Sequence, residues 1–219
     1  MSVEAHKQAL AELYKGSLYA TAKDLLGYKD MTSNCHGEMV KALTENTKQK
    51  LIIMPRGTFK TSIGSVAYPI WLLLNNPNAR ILLDSELYTN SKNRLREIKQ
   101  HLESDRMVSL FGEFKTRGVW SESEIVIKQR TKILKEASIT CSGIGAGKTG
   151  FHADYIIADD LNSPLNSNSP EACQKVVDHY RYYQSILDPG GTLVVIGTRY
   201  AALDVPGFIL EHETAEGLI

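Results

Sequence analysis

The sequence has few cysteines, no net charge and no long apolar run. Its cysteines Cys35, Cys141 and Cys173 are widely spaced and include no CxxC pair, which argues against a disulfide framework or a zinc site. The 25 basic residues balance 25 acidic ones, so any polyanion must be bound by a local patch. The apolar run 67–74 is too short to span a bilayer, and the charged N-terminus lacks a signal-peptide core. We therefore expect a soluble, untargeted protein of a reducing cytosol.

A chain of 219 residues, 42% of them apolar, is long enough for one large domain. Apolar periodicity and helix-start signals predict helices over 4–26, 33–45, 61–74 with a kink at Pro69, 89–104 and 169–187. Short apolar runs predict buried strands over 51–54, 80–86, 155–160 and 192–198, the last following a break at DPGG. Two further strands are expected within 123–142, joined by a polar tip at 129–132.

This alternation of strands and helices predicts an α/β fold with a mostly parallel central sheet flanked by helices. A small N-terminal helical region over 1–48 would precede a core over 49–219, and together they would form one domain.

Two segments compete as a phosphate-binding loop: MPRGTFKTS at 54–62 and SGIGAGKT at 142–149. Such a loop needs a strand before it and a helix after it, so that backbone N–H groups and the helix end face the anion. Too few residues separate Lys148 from the next strand for a helix. The earlier segment satisfies both conditions, with Lys60 and Thr61 where a phosphate-binding lysine and a metal-binding hydroxyl belong.

The earlier loop departs from the usual pattern at both glycines. Met54 and Phe59 occupy those positions, which leaves Gly57 to relax the turn. Taken alone, the segment could equally be an ordinary turn between a strand and a helix.

Acidic and polar residues follow two later strands. Asp159 and Asp160 end an apolar strand, where Asp159 could hold magnesium through water and Asp160 could deprotonate an attacking water. The plainer interpretation is that the two aspartates cap the next turn. A further strand, VVIGTRY at 194–200, ends in Thr198 and Arg199. Ligands of open α/β sheets bind at the carboxyl ends of strands, so these residues should converge with the loop at Lys60.

Three segments together resemble the ATPase domain of the large terminase subunit of tailed bacteriophages, the motor that packs DNA into a capsid. They are MPRGTFKTS as a deviant Walker A motif, SGIGAGKTGFHADYIIADD as a glycine-rich segment leading into Walker B, and LDPGGTLVVIGTRYAALDVPG as the coupling motif. The resemblance covers about residues 23–207. It implies a P-loop NTPase of the ASCE/RecA-like type, with ATP and Mg²⁺ as cofactors.

The resemblance also implies roles for individual residues. Lys60 and Asp160 would be catalytic, with Arg56 as a γ-phosphate sensor in cis and Arg199 coupling hydrolysis to movement. Thr61 and Asp159 would hold the metal. The coupling segment would comprise Gly197, Thr198 and Arg199. The implied nucleotide-binding set is Pro55, Arg56, Gly57, Thr58, Phe59, Lys60, Thr61, Ser62 and His36.

Three of these positions carry reservations. His36 lies roughly where relatives place an adenine-reading side chain, although it could equally be a histidine on a helix surface. Phe59 restricts a loop that normally has glycine. Asp160 is one methylene shorter than the more common glutamate.

The implied partners are double-stranded DNA, the portal protein of the procapsid and the small terminase subunit, with no membrane. The protein would work in the host cytoplasm, docked transiently at the portal. It would assemble as a homo-oligomeric ring, with the isolated domain monomeric. An arginine acting in trans could be Arg94, Arg96, Arg106, Arg117 or Arg130. We expect no nuclease activity, because the chain ends before a nuclease domain and is expected to be a fragment or an engineered domain.

Other interpretations remain open from the sequence. The basic segment 115–135 could contact the DNA backbone, or its lysines could protect a strand edge from pairing. The chain could be a fragment of a superfamily 2 helicase-like ATPase, or a non-hydrolysing adaptor whose loop has decayed at Phe59.

Overall fold

A computed structural model describes residues 2–146 and 150–213. Its helices are α1 (Val3–Gly16), α2 (Leu18–Ala20, continued by a π-helical turn, Thr21–Leu25), α3 (Ser33–Thr44), α4 (Tyr68–Asn75, preceded by a π-helical turn, Ser62–Ala67), α5 (Tyr88–Leu102), α6 (Asp105–Phe111), α7 (Pro170–Ile186) and α8 (Val205–His212). Its strands are β1 (Gln49–Ile53), β2 (Ile81–Asp84), β3 (Glu124–Ile125), β4 (Ile139–Cys141), β5 (Ala153–Asp159) and β6 (Leu187–Gly197).

The strands form one six-stranded sheet in the order β1-β6-β5-β2-β4-β3. All neighbours are parallel except β3 and β4. The carboxyl ends of β1, β6, β5 and β2 therefore lie along one edge of the sheet. The predicted α/β architecture, with a mostly parallel sheet flanked by helices, is confirmed.

Helices cover both faces of the sheet, which is why the strands are apolar on both sides. One core cluster joins the sheet to the N-terminal half of the chain and includes Leu18, Met39, Ile63, Ile70, Leu83 and Ile98. The other packs α7 and α8 on the opposite face and includes Ile156, Val176, Tyr183, Val195 and Ile209. The N-terminal helices thus share a core with the sheet. No helix in the described ranges is long and apolar enough to cross a membrane.

The predicted hairpin over 123–142 is wrong in extent. Only β3 and β4 pair, and the chain between them is held by side chains rather than by a ladder. The Arg130 guanidinium donates to the backbone oxygens of Glu136 at 2.6 Å and Ala79 at 3.3 Å. Asn78 Oδ1 accepts from the backbone N–H groups of Thr131 and Lys132. The polar tip predicted at 129–132 is therefore hydrogen-bonded to the turn before β2.

The predicted break at DPGG is also wrong, because that segment belongs to β6. Asp188 accepts a hydrogen bond from Arg80, which also binds Asp154 at the amino end of the neighbouring strand β5. Gly190 has φ +80°, and a Cβ at Gly191 would lie 2.9 Å from the backbone oxygen of Asp154. The pairing shifts register here, from Ala153 opposite Leu187 to Tyr155 opposite Thr192, so the glycines form an irregularity within the strand instead of ending it.

The helix predicted over 61–74 departs from α-helical geometry just before Pro69. Within the turn Ser62–Ala67 the spacing widens, and the Tyr68 N–H donates to the Ile63 oxygen. Proline has no N–H for a regular ladder, so a wide turn preceding it leaves fewer groups unsatisfied. Helices α6 and α8 were not predicted, although Ser104 and Asp204 cap their first turns.

Candidate functional site

The loop after β1 has a backbone conformation that normally requires glycine. Gly57 has φ +80°, and Phe59 has φ +53°. Phe59 and Asp160 are the two non-glycine residues with positive φ among those the structure describes. A left-handed conformation costs a non-glycine residue about 1–2 kcal/mol. Such strain concentrates at functional sites, and both of these residues lie at the same edge of the sheet.

The rings of His36 and Tyr28 pack against the ring of Phe59. Its ring centroid lies 5.8 Å from that of His36, edge to face, and 6.3 Å from that of Tyr28. The Tyr28 hydroxyl donates to Glu97 on α5 at 2.7 Å, and burial together with this carboxylate raises the pKa of Tyr28. His36 is 4% exposed and its Nδ1 lies 3.0 Å from the Thr32 nitrogen, so it is not a helix-surface residue. The His36 ring is buried and packs against Phe59 of the loop after β1.

Lys60 lies in the wall of a cavity of about 360 Å³ lined by residues 57–62. Its side chain is 6% exposed, and its Nζ is 3.7 Å from Oδ1 of Asp160. The loop and the end of β5 are far apart in sequence, and the strand order brings them together. Within the loop, the Thr58 hydroxyl donates to the Pro55 oxygen, which closes the turn ahead of Lys60.

Asp159 ends β5 and is fully buried. Its Oδ2 accepts from Arg94 Nε at 2.8 Å and from Ser65 Oγ at 2.9 Å, and its Oδ1 lies 3.5 Å from Thr61 Oγ1. A carboxylate and a hydroxyl are hard oxygen ligands that suit Mg²⁺, which takes few protein ligands beside phosphates and water. Residues 2–146 and 150–213 contain no group of three His, Cys, Asp or Glu that could hold a metal ion by themselves.

Burial and neighbouring charges shift the pKa of the Asp160 carboxyl in opposite directions. Burial raises the pKa of its carboxyl, and so does the charge of Asp159, while Lys60 and Arg94 lower it. Its backbone is bonded on both sides, to the Ile196 oxygen at 2.8 Å and from the Glu86 N–H at 3.3 Å. These bonds hold the left-handed bend that turns the side chain toward Lys60.

Arg56 and Arg199 belong to a neighbouring network. Arg56 donates to the Tyr200 hydroxyl through Nε at 3.1 Å and Nη2 at 2.6 Å. Arg199 Nε lies 3.4 Å from Asp204 Oδ1. Thr198, after β6, donates to the Met54 oxygen at 3.0 Å, which ties the end of that strand to the loop. The structure thus brings Lys60, Thr61, Asp159 and Asp160 together, with Arg56 and Arg199 bonded beside them.

The sequence did not identify Arg94 and Ser65 as members of the site. Arg94 was one of the arginines expected to act in trans, but it lies in its own chain's site against Asp159. Arg106 and Arg130 are also engaged, Arg106 by the Asp24 oxygen and the Tyr14 hydroxyl. Of the five arginines named, Arg96, Arg106 and Arg117 are exposed, Arg106 in spite of those two bonds. The competing Lys148 lies outside the described residues.

No protein-family model matches the chain. The chain is similar to a protein described as terminase, large subunit, from Enterobacteria phage T3, with 28% identity over 166 residues. The match covers 75% of this chain and 28% of the relative, so the chain spans less than a third of that protein's length. The similarity to this large subunit is modest, and the mostly parallel sheet is compatible with a P-loop fold.

Proposed function

We propose that the chain is the ATPase domain of a phage DNA-packaging motor, a P-loop NTPase of the ASCE/RecA-like type. It would hydrolyse ATP, with Mg²⁺ as cofactor, to drive double-stranded DNA into the procapsid. The observation that carries the proposal is the convergence of Lys60 with Asp159 and Asp160 at the carboxyl edge of a parallel sheet. Open α/β sheets bind their ligands at this edge. The similarity to a large terminase subunit supports the same conclusion.

Each residue at this edge has a distinct task in the proposed reaction. Lys60 and the loop N–H groups bind the phosphates of ATP. Thr61 and Asp159 hold Mg²⁺, which neutralises phosphate charge when bound. Asp160 orients a water molecule and accepts its proton, a task suited to a carboxyl whose pKa is raised by burial.

The proposed partners are double-stranded DNA, the portal protein and the small terminase subunit, met in the host cytoplasm at the procapsid. The working form is a homo-oligomeric ring. Phosphoryl transfer is commonly accelerated by an arginine from a neighbouring subunit. Among the five candidate arginines, Arg96, Arg106 and Arg117 are exposed and could take that role.

The Lys60→Ala variant tests the proposal through steady-state ATP turnover. A charged hydrogen bond contributes about 1.5–3 kcal/mol, so we expect turnover at subsaturating ATP to fall about 10- to 100-fold. Lys48→Ala is the matched control, because Lys48 is exposed beside the amino end of β1. Its turnover should equal that of the wild type. Equal background rates in the wild type and Lys60→Ala would support a non-hydrolysing adaptor instead.

A second test addresses DNA binding by the segment between β3 and β4. Lys128 and Lys132 are exposed there, whereas Arg130 is bonded to backbone oxygens and should be left intact. If both lysines contact phosphates, Lys128→Glu with Lys132→Glu should weaken duplex binding at low salt. The salt slope should also fall by roughly 2, at about 0.9 per contact.

Lys48→Glu with Lys175→Glu makes the same charge change at exposed positions elsewhere and is the control. Equal DNA affinity for both double variants and the wild type would contradict the contact. It would favour lysines that protect the edge strand β3 from pairing.

A further inference from the structure

The two oxygens of the Asp159 carboxylate face different partners. Oδ2 accepts from Arg94 Nε at 2.8 Å and from Ser65 Oγ at 2.9 Å. Oδ1 lies 3.5 Å from Oγ1 of Thr61. A carboxylate with two donors on one oxygen has its rotation restricted. The other oxygen is therefore kept toward the hydroxyl with which it would share a metal ion.

The donors to Oδ2 come from rigid parts of the fold. Arg94 is on α5, whose flanking residues Leu95 and Ile98 are fully buried. Ser65 is fully buried in the π-helical turn before α4. The Arg94 side chain is 11% exposed, and its Nη1 is buried without a hydrogen-bond partner among the described residues. The packing around Arg94 therefore fixes the position of its guanidinium, and the hydrogen bond from Nε fixes the orientation of the Asp159 carboxylate.

The charge of Arg94 also fits this place. Asp159 and Asp160 are adjacent carboxylates at the end of a buried strand, and with Lys60 and Arg94 they form a cluster of two negative and two positive groups. Removing Arg94 would leave two neighbouring carboxylates with one cation. Arg94 therefore supports the orientation of Asp159 and offsets part of the negative charge of the acidic pair.

We propose that Arg94 is a positioning residue that orients Asp159 for the metal ion by holding one of its oxygens, from within the same chain. The inference rests on the proposed function, since it assigns Arg94 to the same site. Partners that orient metal ligands typically contribute 10- to 100-fold to metal affinity or activity.

Arg94→Gln tests the inference through metal binding rather than turnover. The measurement is Mn²⁺ affinity, by electron paramagnetic resonance, of the full chain saturated with a non-hydrolysable ATP analogue. We expect affinity to fall about 10- to 100-fold. Binding of the analogue in EDTA should change far less, a split that a general loss of structure would not produce. Arg181→Gln, on α7 and exposed, makes the same change away from the site; it is the matched control and should bind Mn²⁺ like the wild type.

Arg94→Lys keeps the positive charge and replaces the planar guanidinium, so it also serves if Arg94→Gln does not fold. Weakened Mn²⁺ binding in this variant is expected, because the orienting bond from Nε is lost. Unchanged or tighter Mn²⁺ binding in the Arg94 variant that folds would overturn the inference, since it would mean that the guanidinium is neutral toward the metal or competes with it.

The two proposals fail in different ways. If the wild type and Arg181→Gln show no nucleotide-dependent Mn²⁺ binding, the proposed ATPase site itself is wrong. If both bind Mn²⁺ and the Arg94 variants match them, only the role of Arg94 is wrong.

Discussion

Replacing Asp160 by asparagine is expected to reduce ATP hydrolysis by about 10²- to 10⁴-fold, the usual contribution of a general base. An amide of the same shape cannot accept the proton of the attacking water. Asparagine also tolerates the left-handed backbone that Asp160 adopts at φ +50°. ATP affinity should therefore change little, and the loss should appear in kcat. Steady-state hydrolysis at saturating ATP, which reports kcat, is the decisive measurement.

The pH dependence of hydrolysis provides an independent check on Asp160. Burial and the neighbouring Asp159 raise the pKa of this carboxyl above its ordinary 3.8. Because the base must be ionised, the rate should fall as pH falls through that raised pKa. The acid limb of the profile should vanish in Asp160→Asn. A limb that survives in this variant would assign the titration to another group.

The same shift in pKa has a consequence for stability. The folded state binds the Asp160 proton more tightly than the unfolded state does, so this group lowers stability as pH rises from the ordinary pKa through the raised one. Asp160→Asn should therefore be at least as stable as the wild type at neutral pH, which guards against loss of activity through misfolding. Asp160→Glu restores a carboxylate and should recover part of the rate. Full activity in Asp160→Asn would remove this residue from the mechanism.

Replacing Phe59 by alanine is expected to lower the free energy of unfolding by about 3 kcal/mol, the low end for a buried phenylalanine, because Phe59 is only partly buried. The change removes the ring contacts with His36 and Tyr28 but keeps the cost of a left-handed backbone. Phe59→Gly removes the same contacts and relieves that cost. It should be more stable than Phe59→Ala by about 1 kcal/mol.

Urea unfolding of the two variants measures this difference directly. Tyr28→Phe is a useful control, because it keeps the ring beside Phe59 and removes only the hydroxyl that binds Glu97. Should Phe59→Ala prove more stable than Phe59→Gly, the backbone at this position would not be left-handed in solution.

The sequence was sufficient to predict the elements that carry the site. The apolar runs that form β1, β5 and β6 are long enough to identify buried strands. Because ligands of such sheets bind at the carboxyl ends of strands, the sequence also predicted that Lys60 and Asp159 lie close together. What it could not provide was the geometry of helices. Ser65 reaches Asp159 from a π-helical turn. Arg94 does so from α5, where the spacing of Leu95, Ile98 and Leu102 marks the buried side but does not show that the neighbouring arginine reaches a carboxylate on β5.

The wrong predictions have a common cause. The segment 123–142 has strand-like alternation, yet Arg130 and Asn78 fasten its middle to a distant turn. DPGG carries strong turn residues, yet Arg80 binds Asp188 and keeps the segment in the sheet. In both places contacts between residues distant in sequence override local preference, which periodicity and turn residues do not record.

The aromatic support beneath Phe59 bears on how related genes are sought. A sequence pattern that requires glycine before the phosphate-binding lysine misses proteins with a bulky residue at that position. In such a protein, rings from an earlier helix and loop can support the bulky side chain while the backbone keeps the same conformation. For this chain the compensating signals are Tyr28 and His36, which lie well upstream of the loop. A pattern that pairs an aromatic residue at the glycine position with two upstream rings would retrieve such divergent homologues.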